Sequence, residues 1–271
     1  MLAIDGSFLD FKQLDLLAMR QTAIHRLDPR AKVLTTLLFI ICVVSFGRYE
    51  ISAMLPFLIY PMVLMTVGDL PGGYLLRKIL IVIPFALVIG IFNPVFDRQV
   101  IMQLGPFEIW GGWISCMSIL MRAILTTSVA LILVAVTGFP ATCEALEKLG
   151  MPKVFTVQLL FLYRYIFVLT DESVRTSRAR QLRTFGRRGL GIRQFGSMIG
   201  HLLLRTWNRA ERIHMAMLAR GFSGEFHTTH RQSRFGREEI VFMGGWITFF
   251  ALFRVYNAPQ LLGRLFTGTM P

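Results

Sequence analysis

Fourteen consecutive residues, Val33 to Phe46, carry no charge. Inside hydrocarbon no water is available to the backbone, so such a run is stable only as a helix that satisfies its own N–H and C=O groups. With its flanks it reaches the roughly 20 residues needed to cross a core about 30 Å thick. Asp28-Pro29-Arg30-Ala31-Lys32 opens it, with Asp28 as N-cap and Pro29 at the first helical position. Gly47-Arg48-Tyr49-Glu50 is a tight outer turn, and Ile51 to Val67 returns. Gly68 to Lys78 reads as a loop, with Pro71-Gly72-Gly73 and the pair Arg77-Lys78. Ile79 to Phe96 is a third span, bent near Pro84 and ending around Asn93-Pro94. Asp97 to Gly112 reads as an outer loop, a fourth span lies within Trp113 to Thr137, and a last one covers Ile240 to Val255. The expected class is all-α, a polytopic membrane protein with about five transmembrane helices plus two long amphipathic cytoplasmic helices.

Three regions follow. Residues 1–137 form an N-terminal membrane region of four spans, 138–238 a cytoplasmic region with two long helices, and 239–271 a C-terminal span and tail. The mean hydropathy of +0.56 and a charged fraction of only 17% agree with a membrane protein. The net charge of +13 is unevenly placed: residues 138–238 hold 17 Lys and Arg against 7 Asp and Glu. The apolar runs argue against nucleic acid, and the basic region suits anionic lipid or an acidic protein partner. Cys42, Cys116 and Cys143 have no metal-ligand spacing and form no disulfide framework. Asp5, Asp10 and Asp15 break up the N-terminus, which is not read as a signal peptide.

Short loops give the orientation. Lys12, Arg20, Arg26, Arg30 and Lys32 precede the first span and Arg77 and Lys78 precede the third, whereas the outer turns carry only Arg48 and Arg98. The N-terminus and residues 138–238 are therefore expected in the cytoplasm. Arg122 has two readings. A span starting at Trp113 buries it in lipid, where an ionisable residue is a functional candidate. A span starting near Ser118 or Ile119 lets it snorkel to the outer headgroups. Gly138-Phe139-Pro140 ends that helix and 141–149 make a short one. Val154 to about Phe185 has a helical pattern, apolar through Leu159, Phe161, Tyr163, Ile166 and Leu169 and then basic. Lys153 and Arg164 place this stretch along the interface rather than across it. After Gly186-Arg187-Arg188-Gly189, a second helix runs from about Ile192 to Arg220.

The basic region lacks a catalytic set. It has no paired-carboxylate site, no Ser/His/Asp grouping and no GxxxxGK[ST] phosphate loop, so any ATPase is a separate chain. His227 and His230 have i, i+3 spacing without a third ligand, and His201 and His214 read as packing or interface residues. Asp171-Glu172 is the only acidic pair, and Arg175 one turn away from Asp171 accounts for it as a helix-surface ion pair. Two Ala-Arg steps stand out, Ala179-Arg180-Gln181 and Ala219-Arg220-Gly221. Gly221 suits a left-handed helix end, and Arg220 the negative pole of the helix dipole. That explanation fits the first step poorly, because the basic pattern continues to Arg183. In each step a small residue admits a partner backbone beside a guanidinium that can grip a carboxylate.

The chain resembles the transmembrane coupling subunit, or T component, of energy-coupling-factor transporters, most closely the cobalt/nickel branch. The resemblance covers most of the chain. It rests on Leu27-Asp28-Pro29-Arg30-Ala31-Lys32, Phe92-Asn93-Pro94-Val95-Phe96-Asp97-Arg98, Thr137-Gly138-Phe139-Pro140, Leu146-Glu147-Lys148-Leu149-Gly150-Met151-Pro152 and Tyr163-Arg164-Tyr165. The two Ala-Arg steps complete it. It implies that the long helices are coupling helices, each docked by its Ala-Arg end on one of two ABC-type ATPase subunits. Arg180 and Arg220 would then make the contacts, and Ala179, Ala219 and Gly221 would allow close approach. Gln181 departs from the Ala-Arg-Gly pattern and makes the first motif the less secure. The resemblance also implies a separate membrane subunit that binds the substrate, cobalt or nickel, with a vitamin as the other class. It implies no catalytic residue, metal or cofactor in this chain, with ATP and magnesium held by the ATPase partners. Two other classes are an integral membrane enzyme acting on lipids or isoprenoids, and a stand-alone channel or carrier.

Overall fold

The computed structural model describes residues 15–96, 100–104, 107–183, 192–224 and 236–255. They fall into two compact units, one of residues 15–142 with 236–255 and the other of 143–183 with 192–224. The polytopic helical class expected from the apolar runs holds.

The first unit begins with α1 (Ala23–Arg26) and α2 (Pro29–Val44). Asp28 caps α2 as expected, its carboxylate accepting from the Arg30 amide at 2.8 Å with Pro29 in the first turn. The return span is three pieces, α3 (Ile51–Met54), a 3₁₀ turn (Leu55–Leu58) and α4 (Ile59–Val67). Pro56 lies inside the 3₁₀ turn, where its missing N–H breaks an α-helical ladder. The third span, α5 (Gly72–Gly90), starts seven residues earlier than the sequence reading placed it. Pro71 is its N-cap, and Arg77 and Lys78 are helical, with the Lys78 ammonium 5.6 Å from the Tyr74 ring centroid. Most of the expected loop is therefore helix. Pro84 sits inside α5, which continues to Gly90 before a turn leads into α6 (Asn93–Phe96).

The expected outer loop contains a hairpin, β1 (Val100–Leu104) antiparallel to β2 (Phe107–Trp110), with Gln103 opposite Glu108. α7 (Gly111–Thr137) follows directly. Gly112 is where α6 meets α7. A Cβ there would stand 2.3 Å from the Pro94 Cα and 2.8 Å from the Asn93 carbonyl oxygen, so no larger residue fits without moving backbone. The Asn93 amide also donates to the Ser115 hydroxyl at 2.9 Å. α8 (Phe139–Lys148) leaves the first unit, and α11 (Arg237–Val255) completes it.

Aromatic rings from α2, the second span and α11 make the centre of this unit. Phe250 packs 5.5 Å from Phe39, 5.3 Å from Tyr60 and 5.8 Å from Phe57, centroid to centroid. Trp246 meets Tyr60 edge-on at 4.7 Å, and the Tyr60 hydroxyl donates to Thr35 at 3.3 Å.

Polar clasps close both ends of the packed helices. At one end, Glu239 fills the N3 position of a capping box: it accepts from the Gly236 amide at 2.8 Å and also from the Asp28 amide at 3.3 Å. Burial works against its charge, but these backbone donors outweigh it and hold the carboxyl below its ordinary range. The Lys32 ammonium, almost fully buried, donates to the His25 carbonyl at 3.4 Å. At the other end two arginines cover the C-terminal carbonyls of α2. Arg122 donates to Phe46 O at 2.9 Å and Gly47 O at 2.7 Å. Arg254 donates to Ser45 O at 2.9 Å and lies 4.4 Å from the Phe46 ring centroid. Arg122 is thus level with the Gly47 turn, which favours the snorkelling reading. α7 is 27 residues, about 40 Å at 1.5 Å per residue, so it can cross lipid with turns to spare.

Length and composition make α5 and α7 competent to span a membrane, with Ile51–Val67 a shorter apolar helix.

His25 makes α1 sensitive to pH. Its Nε2 donates to the Leu17 carbonyl at 3.0 Å, leaving Nδ1 to accept from the Thr22 hydroxyl at 2.7 Å. Burial lowers its pKa from 6.5, with Lys32 and Arg20 adding to the effect against the Leu17 bond. The stabilisation is complete above pH 6.5 and is lost as pH falls toward the lower folded value. Amide exchange in residues 23–26 should therefore speed up below that pH, and His25→Gln should remove most of the dependence.

Candidate coupling interface

The second unit is built on two long helices, α9 (Lys153–Arg183) and α10 (Ile192–Ala219). At 1.5 Å per residue they are about 46 and 42 Å long. α9 is continuous, and its Lys153–Ala179 portion is also long and apolar enough to cross a membrane. α8 ends before α9 at Gly150, whose φ of +117° permits a cap in which the Met151 amide returns to the Leu146 carbonyl at 3.0 Å.

One carboxylate ties the long helices together. Glu172 of α9 accepts from Arg205 at 3.0 Å, and Arg209 stands 3.9 Å from its other oxygen, both on α10. With Leu169, Thr206 and Arg212 these residues line a groove of about 210 Å³. The expected Asp171–Arg175 pair is not formed among the described residues. Glu172, the other member of the acidic pair, reaches across instead, because two arginines one turn apart on α10 offer it more than a single neighbour on its own helix. The signal in the sequence was the i, i+4 spacing of Arg205 and Arg209.

The Ala-Arg steps lie beyond this crossing on both helices. Ala179 is seven residues past Glu172 and Ala219 fourteen past Arg205, giving arms of about 10 and 20 Å. At 100° per residue, each alanine falls within about 20° and 40° of the face that carries the crossing pair. Ala179 is exposed. Arg180 and Gln181 continue the α9 backbone, and their side chains lie outside the described set. α10 ends at Ala219, and Gly221 has a φ of +80°. The Phe222 amide returns to the Met217 carbonyl and the Gly221 amide to Leu218, both at 3.0 Å, which is a Schellman cap. No atom comes within 4 Å of a Cβ built at Gly221, so the left-handed backbone alone requires glycine inside this chain. Arg220 is exposed at the cap itself.

α10 also shows an open apolar face. Leu203 is 65% and Trp207 71% exposed, with Ile199, Met215 and Leu218 exposed on neighbouring turns. Leu204 is exposed beside them. His201 and His214 lie on α10, and no group of three His, Cys, Asp or Glu among the described residues could hold a metal. His227 and His230 fall outside those residues.

The first unit is a polytopic helical bundle; in the second, two long helices meet at Glu172 with small-residue and arginine steps beyond that contact. Residues 20–231 match the family model CbiQ, cobalt transport protein, and the chain belongs to that family. It is 28% identical over 158 residues to the cobalt transport protein CbiQ of Salmonella typhimurium, covering 54% of this chain and 70% of the relative. It is 25% identical to the energy-coupling factor transporter transmembrane protein EcfT of Bacillus subtilis over 226 residues, 77% of this chain and 84% of the relative. The EcfT protein of Heliobacterium modesticaldum is 29% identical over 219 residues, covering 74% and 80% of the two chains.

Glu172→Gln should weaken the crossing by about 1 kcal/mol, the scale of a partly exposed pair. Spin labels on α9 and α10 should report a broader distance distribution, with Glu172→Asp recovering part of the sharpness.

Proposed function

We propose that this chain is the transmembrane coupling component of an energy-coupling-factor importer for cobalt or nickel ions. In this reading residues 143–224 face the cytoplasm. Two ABC-type ATPase subunits bind ATP and magnesium, and a separate membrane subunit binds the ion. Closure of the ATPase pair pulls on Arg180 and Arg220. Because Glu172 ties α9 to α10, the two arms move as a lever pair. The apolar face around Leu203 and Trp207 carries that motion to the substrate-binding subunit, which reorients in the lipid.

The observation that carries this reading is the crossing itself. Among the described residues an ion-paired junction joins two helices that each carry an Ala-Arg step beyond it, one closed by a left-handed glycine cap. Such a junction transmits force between two separated contacts.

Purification of the chain from its native membrane, with its companions identified, tests the reading. Two nucleotide-binding chains and one further membrane protein are expected. ATP-dependent uptake by the reconstituted set should be seen with Co²⁺ or Ni²⁺ and be absent with vitamins. A chain that purifies alone and transports, or acts on lipid, would overturn it.

A further inference from the structure

A second surface lies within the membrane unit itself. α1, the C-terminal half of α4 and the first turns of α11 enclose a cleft of about 520 Å³. Its floor is apolar: Ile24 from α1, Leu64 from α4, and Phe242 and Trp246 from α11. Its rim is charged, formed by Arg237 and Glu238, which open α11 and are both exposed. Neither side chain makes an ion pair or hydrogen bond with any described residue.

The setting limits what can fill this cleft. α4 closes the shorter apolar helix Ile51–Val67, and α11 carries the Ile240–Val255 run read from the sequence as the last span, so the cleft lies at the charged end of that run, beside Arg237 and Glu238. The apolar floor extends inward from that end, and the charged rim stands at the headgroups. A chain of methylenes fits the first and a polar head the second. The head can be specified further. A lone arginine would select an anionic lipid, but here both a guanidinium and a carboxylate line the rim, on successive residues of α11. A head with a phosphate and a protonated primary amine complements both, the phosphate accepting from Arg237 and the ammonium donating to Glu238. A quaternary amine has no N–H to donate, and a glycerol head brings no positive charge.

We propose that this cleft is a binding site for one glycerophospholipid with an aminoethyl headgroup. In the orientation given above, it belongs to the cytoplasmic leaflet. The lipid wedges α1 against α4 and α11, beside the clasp by which Glu239 of α11 holds the Asp28 amide at the start of α2. The site is independent of the coupling role: it rests on residues of the membrane unit alone, and its occupancy can be read without transport.

Native mass spectrometry of the full chain, released from bilayers holding equal parts of phosphatidylethanolamine, phosphatidylcholine and phosphatidylglycerol, provides the test. One phosphatidylethanolamine should be retained, about tenfold above either of the others, the scale of one charge-assisted contact. Arg237→Gln should reduce all phospholipid retention. Glu238→Gln should remove the preference for ethanolamine over choline. Ala23→Trp, at the cleft wall, should expel the lipid while the helical signal and thermal midpoint hold. A photoreactive residue at Val241 should cross-link to lipid. Equal retention of the three lipids, retention unchanged in the Arg237 and Glu238 variants, or a cross-link to a companion polypeptide would each overturn the proposal.

Discussion

Arg220→Glu should strip the ATPase subunits from the purified complex and abolish ATP-driven uptake, while the chain itself still inserts. The residue stands fully outside its own fold, at a cap held by backbone hydrogen bonds from Phe222 and Gly221. Its side chain contributes little to that cap, so the reversal of charge should leave α10 helical. In the proposed coupling role, what changes is the contact with an acidic groove of the ATPase partner. Losing a buried, hydrogen-bonded charge pair costs about 2–5 kcal/mol, and a carboxylate facing a carboxylate adds repulsion. A drop in ATPase occupancy of at least about thirtyfold is the matching outcome. Arg220→Lys should restore part of it, because charge survives while the two-pronged geometry does not. Co-purification and uptake unchanged in Arg220→Glu would remove Arg220 from the coupling path. Arg180→Glu, made separately, shows whether the departure at Gln181 has weakened the other contact.

Phe250→Ala should be the most damaging single change to the membrane unit. The ring is 2% exposed and touches Phe39, Phe57, Tyr60 and Trp246, so its removal opens a hole between three elements. In a soluble core such a change costs about 3–5 kcal/mol. Here the alternative surroundings of the side chain are lipid tails, so the transfer part of that cost is largely absent and the lost packing remains. A loss of about 2–3 kcal/mol is expected, read as a lower unfolding midpoint in mild detergent titrated with a denaturing one. Phe250→Leu should recover about half, since it refills part of the volume.

Much of this architecture can be read from the chain because lipid enforces it. Val33 to Phe46 can only be helix in hydrocarbon, and Asp28-Pro29 could be read directly as its cap. Boundaries were less legible where local chemistry and charge disagreed. Arg77 and Lys78 suggested a loop, yet a Pro71 start and the reach of Lys78 over Tyr74 extend α5 backward. The hairpin of Val100–Leu104 and Phe107–Trp110 has strands of only five and four residues, so the Gly105-Pro106 step between them reads in the sequence as readily as part of a loop. At the candidate interface, the Ala-Arg steps were visible as sequence because both small and basic residues had to be adjacent. The tie at Glu172 was only half visible: Arg205 and Arg209 recur at i, i+4, but nothing local names a carboxylate more than thirty residues earlier as their partner. Glu239 is a similar case. Gly-Arg-Glu-Glu before an apolar run announces a helix start, but nothing local says that the same carboxylate also holds the amide of Asp28.

That last bond has a consequence for how the protein is made. Asp28 precedes Glu239 and Phe250 by about 200 residues or more, so it leaves the ribosome well before them. During translation the earlier helices must therefore wait with Phe39, Phe57 and Tyr60 uncovered by α11. Only when α11 arrives does the aromatic centre close. A chain in which α11 has not yet docked is thus marked by an open aromatic face.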